Sequence, residues 1–450
     1  MTGRAALNHE DLSTVMAPSP AATEQVGIEI ESGLVSPDTG RATPYEGKNG
    51  TLAVLETVLE EWGGERLEDA GLLTGIRLES GTQITLEHGG QVEYSSTPAP
   101  NLQSAVDDAR DTLQRLADLV GRFGLALLPG ANLPFDDTAT IDWVPSTRGG
   151  LMRDFFQRLG PAGSGAEQIM TTSLSTQVHV DYLGRQDFSH KLRMHTAAAP
   201  VVAALLVNSP LQGGVSNGLL SHRSDAWLRM DPRRCGTLPP ALRPDVGIED
   251  VVDWALRVPM LYHRAADGAY RAAPDRSFAT ILDNGFDDGT MPTMHDWIAH
   301  LSQIWTNVHV RSTLELRGAD GPHFHHIPAV PALWVGLSYH APSRDAAWNL
   351  LGHHTLRDHE DALRNLPREG LRTRLGNDRI HDLATELLRL ARQGLTARVR
   401  AGLEPARVVD YLDPLDEILA TGRTFAEQTL HLWETDLRRD PQRYVTAFRV

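Results

Sequence analysis

Apolar and polar residues alternate in several short runs across the first three-quarters of the chain. Val26-Gly-Ile-Glu-Ile-Glu31, Ile84-Thr-Leu-Glu87, Gln91-Val-Glu-Tyr94 and Thr313-Leu-Glu-Leu-Arg317 share this pattern. Side chains on a strand alternate with a period of two, so each run predicts a strand with one apolar and one polar face. Val26, Ile28, Ile30, Leu86, Val92, Tyr94, Leu314 and Leu316 would then pack inward. Glu29, Glu31, Glu87, Glu93 and Glu315 point the other way, with Gln91 and Arg317. The run 175–182 alternates likewise, with Val178 and Val180 opposite Gln177, His179 and Asp181. Gly89-Gly90 between two such runs is a hairpin turn signal.

Other stretches follow the helical period. These are 51–62, 102–123, 191–207, 297–308, 380–399 and 405–420, with a helix and then a Gly-rich loop over 150–165. The stretch 208–223 is rich in Gly, Ser and Asn and predicts a long loop. Strands mixed with helices, without regular β-α alternation, predict an α+β fold. Residues 1–23, rich in Ala, Ser and Pro, predict a flexible leader; 24–345 would be the core, and 346–450 a helical C-terminal region packed on it.

Composition narrows the classes. The formal net charge is −16, which disfavours nonspecific binding to nucleic acid or to an anionic membrane surface. No run of 18 apolar residues marks a membrane span. Cys235 is the single cysteine, so no intrachain disulfide can form and a reducing, cytoplasmic setting is expected. Its structural reading is a small packed residue.

The polar faces carry the candidate chemistry. A sheet with one wet face shows the same alternation. Here, however, the outward positions repeat Glu with almost no Lys. Gathered on one sheet, those carboxylates repel unless hard cations sit between them, and oxygen-rich clusters suit Mg²⁺ or Mn²⁺. That reading is a metal-dependent enzyme handling phosphates. No GxxxxGK[ST] loop, GxGxxG turn after a strand, or GxSxG elbow is present, so a phosphate site would rest on metals and arginines such as Arg223, Arg233, Arg234 and Arg317. His323-Phe-His-His326 invites a transition-metal reading but lacks an evident third ligand. His353-His354 reads as a solvated or packed pair.

Several strings in order resemble the glutamate–cysteine ligase family, in its plant and bacterial branch. The strongest is Leu314-Glu-Leu-Arg-Gly-Ala-Asp-Gly321, followed by Pro331-Ala-Leu-Trp-Val-Gly-Leu337. Val26-Gly-Ile-Glu-Ile-Glu31, Ile84 to Glu93, Thr176-Gln-Val-His-Val-Asp181, Ser221-His-Arg-Ser-Asp-Ala-Trp227 and Asp231-Pro-Arg-Arg-Cys-Gly236 are similar too. The resemblance implies a glutamine-synthetase-like antiparallel sheet forming a funnel. It implies ATP and Mg²⁺, with Mn²⁺ as an alternative ion, and small-molecule substrates. It further implies formation of γ-glutamylcysteine through a γ-glutamyl phosphate, in glutathione or related thiol biosynthesis, by a monomer or homodimer.

By matched position, Glu29, Glu31, Glu87, Glu93 and Glu315 would hold metal, and Glu315 and Arg317 would be catalytic. Gln91, Gln177, His179, Arg223, Trp227, Arg234 and Trp334 would bind substrate or nucleotide. The chain departs from the family pattern at His88, where proline is usual, and at Trp305-Thr-Asn-Val-His309, where Phe-Pro-Glu-Val-Arg is usual. It departs again at His325-His326, commonly an Arg pair, and after Cys235, where aromatic residues are missing. These departures leave open a related ligase that joins glutamate or another acid to a different amine.

Overall fold

Val26–Val35 forms strand β1, the centre of the molecule. The computed structural model describes residues 7–18, 23–69, 71–265 and 267–450. Around β1 stand β2 (Glu65–Asp69), β3 (Leu72–Arg77), β4 (Gln83–Leu86), β5 (Val92–Ser95), β6 (Ala126–Pro129), β7 (Thr176–Val180), β8 (Val308–Val310) and β9 (Leu314–Leu316). The order is β8-β9-β7-β1-β5-β4-β3-β2, with β6 paired to the C-terminal half of β1. Every pairing in this sheet is antiparallel. The fold is the expected mixture of antiparallel sheet and helices.

One face of the sheet is the apolar one that alternation predicts. Val26, Ile28, Ile30, Val92, Tyr94, Val178, Val180, Leu314 and Leu316 are all buried. Each such aliphatic or aromatic side chain contributes about 1.5–3 kcal/mol when removed from water. Helices Thr51–Trp62, Leu102–Gly121 and Ala329–Ser338 cover that face. Leu102–Gly121 follows its sequence signals. Asn101 Oδ1 accepts the Ser104 N–H at 2.8 Å, and Leu102, Val106, Ala109, Leu113, Leu116 and Val120 form the buried stripe. The carboxylate of buried Glu404 also accepts the Leu102 N–H, at 2.8 Å. This contact ties the C-terminal helices to the sheet layer, as does the Val450 N–H bonded to Leu127 O at 3.0 Å.

Four expectations change. First, the described part of the leader is ordered and packed: helix His9–Ser13 and the turn Thr14–Met16 bury Leu12 and Met16. Trp297 Nε1 donates to Leu12 O at 3.0 Å. Residues 1–6 and 19–22 of that stretch lie outside the described residues. Second, the helix expected over 297–308 is Met294–Leu301, after which Trp305–Thr306 and β8 are strands. Val308 and Val310 pair with Leu316 and Leu314 of β9, and a β-branched run with a partner strand prefers that state. Third, the helix expected over 405–420 is a 3₁₀ stretch, Ala406–Leu412, and then Asp413–Thr421. Pro414 has no N–H to continue a helix through it, so it sits in a first turn. Fourth, Asn208 to Arg223 ends in a helix, His222–Trp227, capped by Ser221.

Candidate active site

Register decides which polar side chains meet. Glu31 of β1 faces Glu93 of β5, and Glu93 also faces Thr85 of β4. One row along, Glu29 faces Gln177 on β7; next, Gly27 faces His179. His179 in turn faces Glu315 of β9, and Glu315 faces His309 of β8. Gly27 has a specific reason to be glycine: a Cβ there would lie 3.1 Å from His179 Cβ. The bare backbone lets the His179 ring lie across β1 and bring Nε2 to 3.2 Å from Glu29 Oε1.

Glu87 joins from the β4–β5 turn. Its N–H bonds Gln91 O at 2.8 Å, and its carbonyl accepts the Gly90 N–H at 2.9 Å. Gly90 has φ +82°, a conformation in which a side chain would be strained. Gln91 is committed to holding this turn. Its Oε1 accepts the Gly89 N–H, and its Nε2 donates to Ser173 O at 3.1 Å. The result is a cluster: Glu31, Glu87 and Glu93 each bring a carboxylate oxygen to within 4.8 Å of the others.

The electrostatics of the cluster follow from burial and like charge. Burial pushes the Glu87 carboxyl up to about 7, and the neighbouring Glu31 adds to the rise. Burial and then Glu29 push Glu93 well above the ordinary carboxylate range. Burial raises Glu31 as well, against the pull of Arg223. Crowded carboxyls that retain protons are what like charges in a desolvated place produce. Beside them, Gln177 donates its Nε2 to Glu31 Oε1 at 3.1 Å, while its buried Oε1 has no partner among the described residues. An all-oxygen donor set with a spare carbonyl fits Mg²⁺ or Mn²⁺.

Glu315 behaves differently. Burial would raise its carboxyl, but Arg317 and His309 outweigh burial and hold it well below the ordinary range. His309 Nδ1 lies 3.0 Å from Glu315 Oε2, and its Nε2 lies 3.0 Å from Leu301 O. His179 is raised: burial opposes the charged ring, but Glu29 prevails.

Two cavities flank the cluster. The first, about 220 Å³, is lined by Glu31, Glu87, His88, Arg148, Arg223 and Arg317, with Met152, Met170, Trp227 and Trp305 on its apolar side. The second, about 340 Å³, is lined by Glu29, Glu93, Gln83, Thr85, Ser95 and His179. Glu31 and Glu93 are cross-strand neighbours, so the carboxylates stand at the boundary between an arginine-lined cavity and a polar one.

Arg223 is spent on the wall of the first cavity. Its guanidinium donates to Ser173 Oγ, Ala319 O and Arg317 O at 2.9–3.1 Å, which fixes the segment carrying Arg317.

Three positions named from the sequence stand elsewhere. Arg233 lines neither cavity and is bound to Asp231, its Nε donating to Oδ1 at 2.9 Å. Arg234 is fully buried, bound to Asp231 Oδ2 at 2.9 Å and Gln303 O at 3.2 Å, and lines neither cavity. Trp334 is a core residue of helix Ala329–Ser338, its ring set against His195. The helix that carries it is apolar on every side, so Trp334 has a packing role. The His323 motif also packs. His323 stacks on Phe448, with centroids 3.7 Å apart, and His326 stacks on Phe425.

Sequence reasoning missed Arg148. It enters the first cavity from helix Thr147–Leu159, with its Nε 3.3 Å from Asp69 Oδ2. It lies 61 residues past Glu87 in a run with no motif, so only the fold reveals it. His88, the residue in place of the usual proline, is there too, stacked on Trp143 and pushed down to about 4 by burial and Arg148.

The antiparallel sheet of this mixed fold presents clustered carboxylates and arginines to adjoining cavities, a donor set whose chemistry fits divalent cations and phosphate. The profile of "Glutamate-cysteine ligase family 2 (GCS2)" matches residues 25–444, and the chain belongs to this family. It is 30% identical over 437 residues to glutamate–cysteine ligase B, chloroplastic, of Oryza sativa subsp. japonica, across 96% of this chain and 85% of that one. It is 29% identical over 431 residues to the chloroplastic glutamate–cysteine ligase of Arabidopsis thaliana, across 95% and 80%. Its fold is shared with a crystal structure of the glutamate–cysteine ligase of Francisella tularensis in complex with AMP. There the TM-score is 0.56, at 13% identity, across 96% of this chain and 89% of that one. Among the described residues no helix is long and apolar enough to cross a membrane.

Proposed function

We propose that this chain joins the γ-carboxylate of glutamate to the amino group of cysteine at the expense of ATP, through a γ-glutamyl phosphate. The observation that carries the reading is the Glu31–Glu87–Glu93 cluster at the boundary between the arginine-lined and polar cavities. An amino-acid carboxylate matches the arginine side, and a nucleotide matches the polar side. A glutamate oxygen would attack the γ-phosphorus, and the bond from that phosphorus to the β,γ-bridging oxygen would break, releasing ADP. The amine nitrogen would then attack the acyl carbon, and phosphate would leave with one glutamate oxygen while the amine loses a proton.

Glu31, Glu87 and Glu93 would hold one divalent ion, with Glu29 and Glu315 completing the set for a neighbouring one. A bound divalent ion supplies charge neutralisation for the transferring phosphoryl group. His179 and His309 would orient Glu29 and Glu315. Arg317 would meet the phosphoryl oxygens, Arg148 the substrate carboxylate, and Arg223 would keep Arg317 in position. Gln177 would steady Glu31, and Gln91 the turn that presents Glu87; Trp227 would form the apolar wall.

A second reading keeps the activation step and changes the amine. It is favoured by the wall of the first cavity, where His88 and Trp305, both departures from the family pattern, stand beside Met152 and Met170. Phosphate release from ATP and glutamate, measured with and without cysteine and then across a panel of amines, tests both. Carboxyl-¹⁸O glutamate should transfer label to phosphate; label in AMP would overturn the acyl-phosphate route. A preference for another amine would leave the second reading standing and remove the first.

A further inference from the structure

Far from the carboxylate cluster in sequence, the turn after helix Ala341–Leu351 gathers a different donor set. His353 and His354 follow the helix end, with ring centroids 4.0 Å apart. The short hairpin Arg374–Leu375 and Asp378–Arg379 closes over them. Its turn residue Gly376 has φ +56°, and a Cβ there would already be 3.3 Å from His354 Cδ2, so the backbone packs directly on the ring. That contact brings Asp378 Oδ2 to 2.9 Å from His354 Nε2 and 3.4 Å from His353 Nε2.

The hydrogen bonding of His354 is informative. Its Nδ1 lies 2.9 Å from Leu351 O, an acceptor only, so Nδ1 must carry the proton. In a neutral ring Nε2 then presents its lone pair to a carboxylate oxygen. Two lone pairs in contact repel unless a proton or a cation lies between them. Histidines that bind metals characteristically donate their other N–H to a backbone carbonyl, which fixes the tautomer. A tetrahedral ion with bonds of ~2.0–2.2 Å holds its ligands ~3.3–3.6 Å apart; the 3.4 Å separation from His353 falls in that range, and the 2.9 Å separation from His354 would open slightly to admit the ion. Asp358 does not compete, because its Oδ2 accepts from Thr355 N and Oγ1 at 2.8 and 2.7 Å.

We propose that His353, His354 and Asp378 form a second metal site, for a divalent transition ion of the zinc type. Two imidazoles and one carboxylate suit such an ion, whereas the all-oxygen cluster suits Mg²⁺. The His353 and Asp378 side chains are 63% and 47% exposed, so the fourth position faces solvent. The ion would clip the hairpin that leads into helix Ile380–Arg400 to the turn before helix Leu356–Glu369.

The test uses the full chain, stripped of metal and then held in saturating Mg²⁺ to occupy the carboxylate cluster. Calorimetric titration with ZnCl₂ should show one zinc equivalent that raises Tm. In His353→Ala and in Asp378→Asn that equivalent should bind about tenfold or more weaker, as loss of a metal-site partner does. Their metal-free Tm and their ligase turnover should match the parent. Co²⁺ added to the parent should give the intense visible absorption of a four-coordinate ion, and His353→Ala should lose it. Equal zinc binding in parent and variants, or only weak six-coordinate Co²⁺ absorption in the parent, overturns the site and leaves a hydrogen-bonded His–Asp contact.

Discussion

Arg317 Nε lies 3.2 Å from Glu315 Oε1, yet it is not aligned for a hydrogen bond with it or with any other acceptor among the described residues. The pair is an ion pair whose guanidinium keeps a donor free, on the wall of the arginine-lined cavity. A residue that only steadied the sheet would spend that donor on its neighbour.

Arg317→Lys should therefore fail in turnover rather than in folding. Lysine keeps the charge and loses the planar fork. The expected loss in kcat is on the order of 10²-fold, the scale of removing one preorganised charge stabiliser. Near-normal kcat together with a lowered Tm would reassign Arg317 to the sheet.

Stability should depend on pH and Mg²⁺ together. Without cations, burial and like charge raise Glu31, Glu93 and Glu87, the last to about 7. The folded state then holds protons that the unfolded chain releases above its ordinary value of about 4.5. Where the folded state binds more protons, stability falls as pH rises. The metal-free protein should lose stability between about pH 5 and pH 8. Mg²⁺ bound at the cluster would replace those protons, so the Tm gain on adding Mg²⁺ should be larger at pH 8 than at pH 6. Thermal melts at both values check this, and Glu87→Gln should flatten the difference. Equal gains at both pH values would detach the cluster from metal binding.

Gly27→Ala tests the row above the cluster. A methyl 3.1 Å from His179 Cβ forces that ring to shift and disturbs its 3.2 Å contact with Glu29. The variant should fold, because residue 27 lies on the cavity face and not among the buried apolar contacts. Turnover should drop about tenfold or more, as small misplacements in a phosphoryl-transfer site do. Unchanged kcat and unchanged KM for ATP would remove His179 from the nucleotide side.

Trp334→Ala should show the opposite signature. A buried Trp truncated to Ala costs about 3–5 kcal/mol, seen as a lowered Tm, while KM for ATP and glutamate in the folded fraction stays near the parent value. A selective rise in either KM would return Trp334 to the site.

What was legible in the sequence is what depends on near neighbours. The period of two in Val26 to Glu31 and in Leu314 to Arg317 placed the glutamates on one face, because strand geometry is local. Helix Thr51–Trp62 was readable for the same reason, and Leu102–Gly121 was readable to within two residues at its end. The family motifs named the carboxylates and Arg317 because they are short contiguous strings. Tertiary structure alone decided which of them meet. The β1–β5 register sets Glu31 against Glu93, and the turn at Gly90 swings Glu87 in beside them, while Glu29 and Glu315 take histidine and arginine partners. It brought Arg148 to the cavity and kept Trp334 and Arg234 away from it, because burial is a property of the assembled layers and not of the residue. It also packed Leu12 and Met16, in a stretch whose composition reads as loose, since two apolar side chains suffice to anchor a segment once a groove exists to receive them.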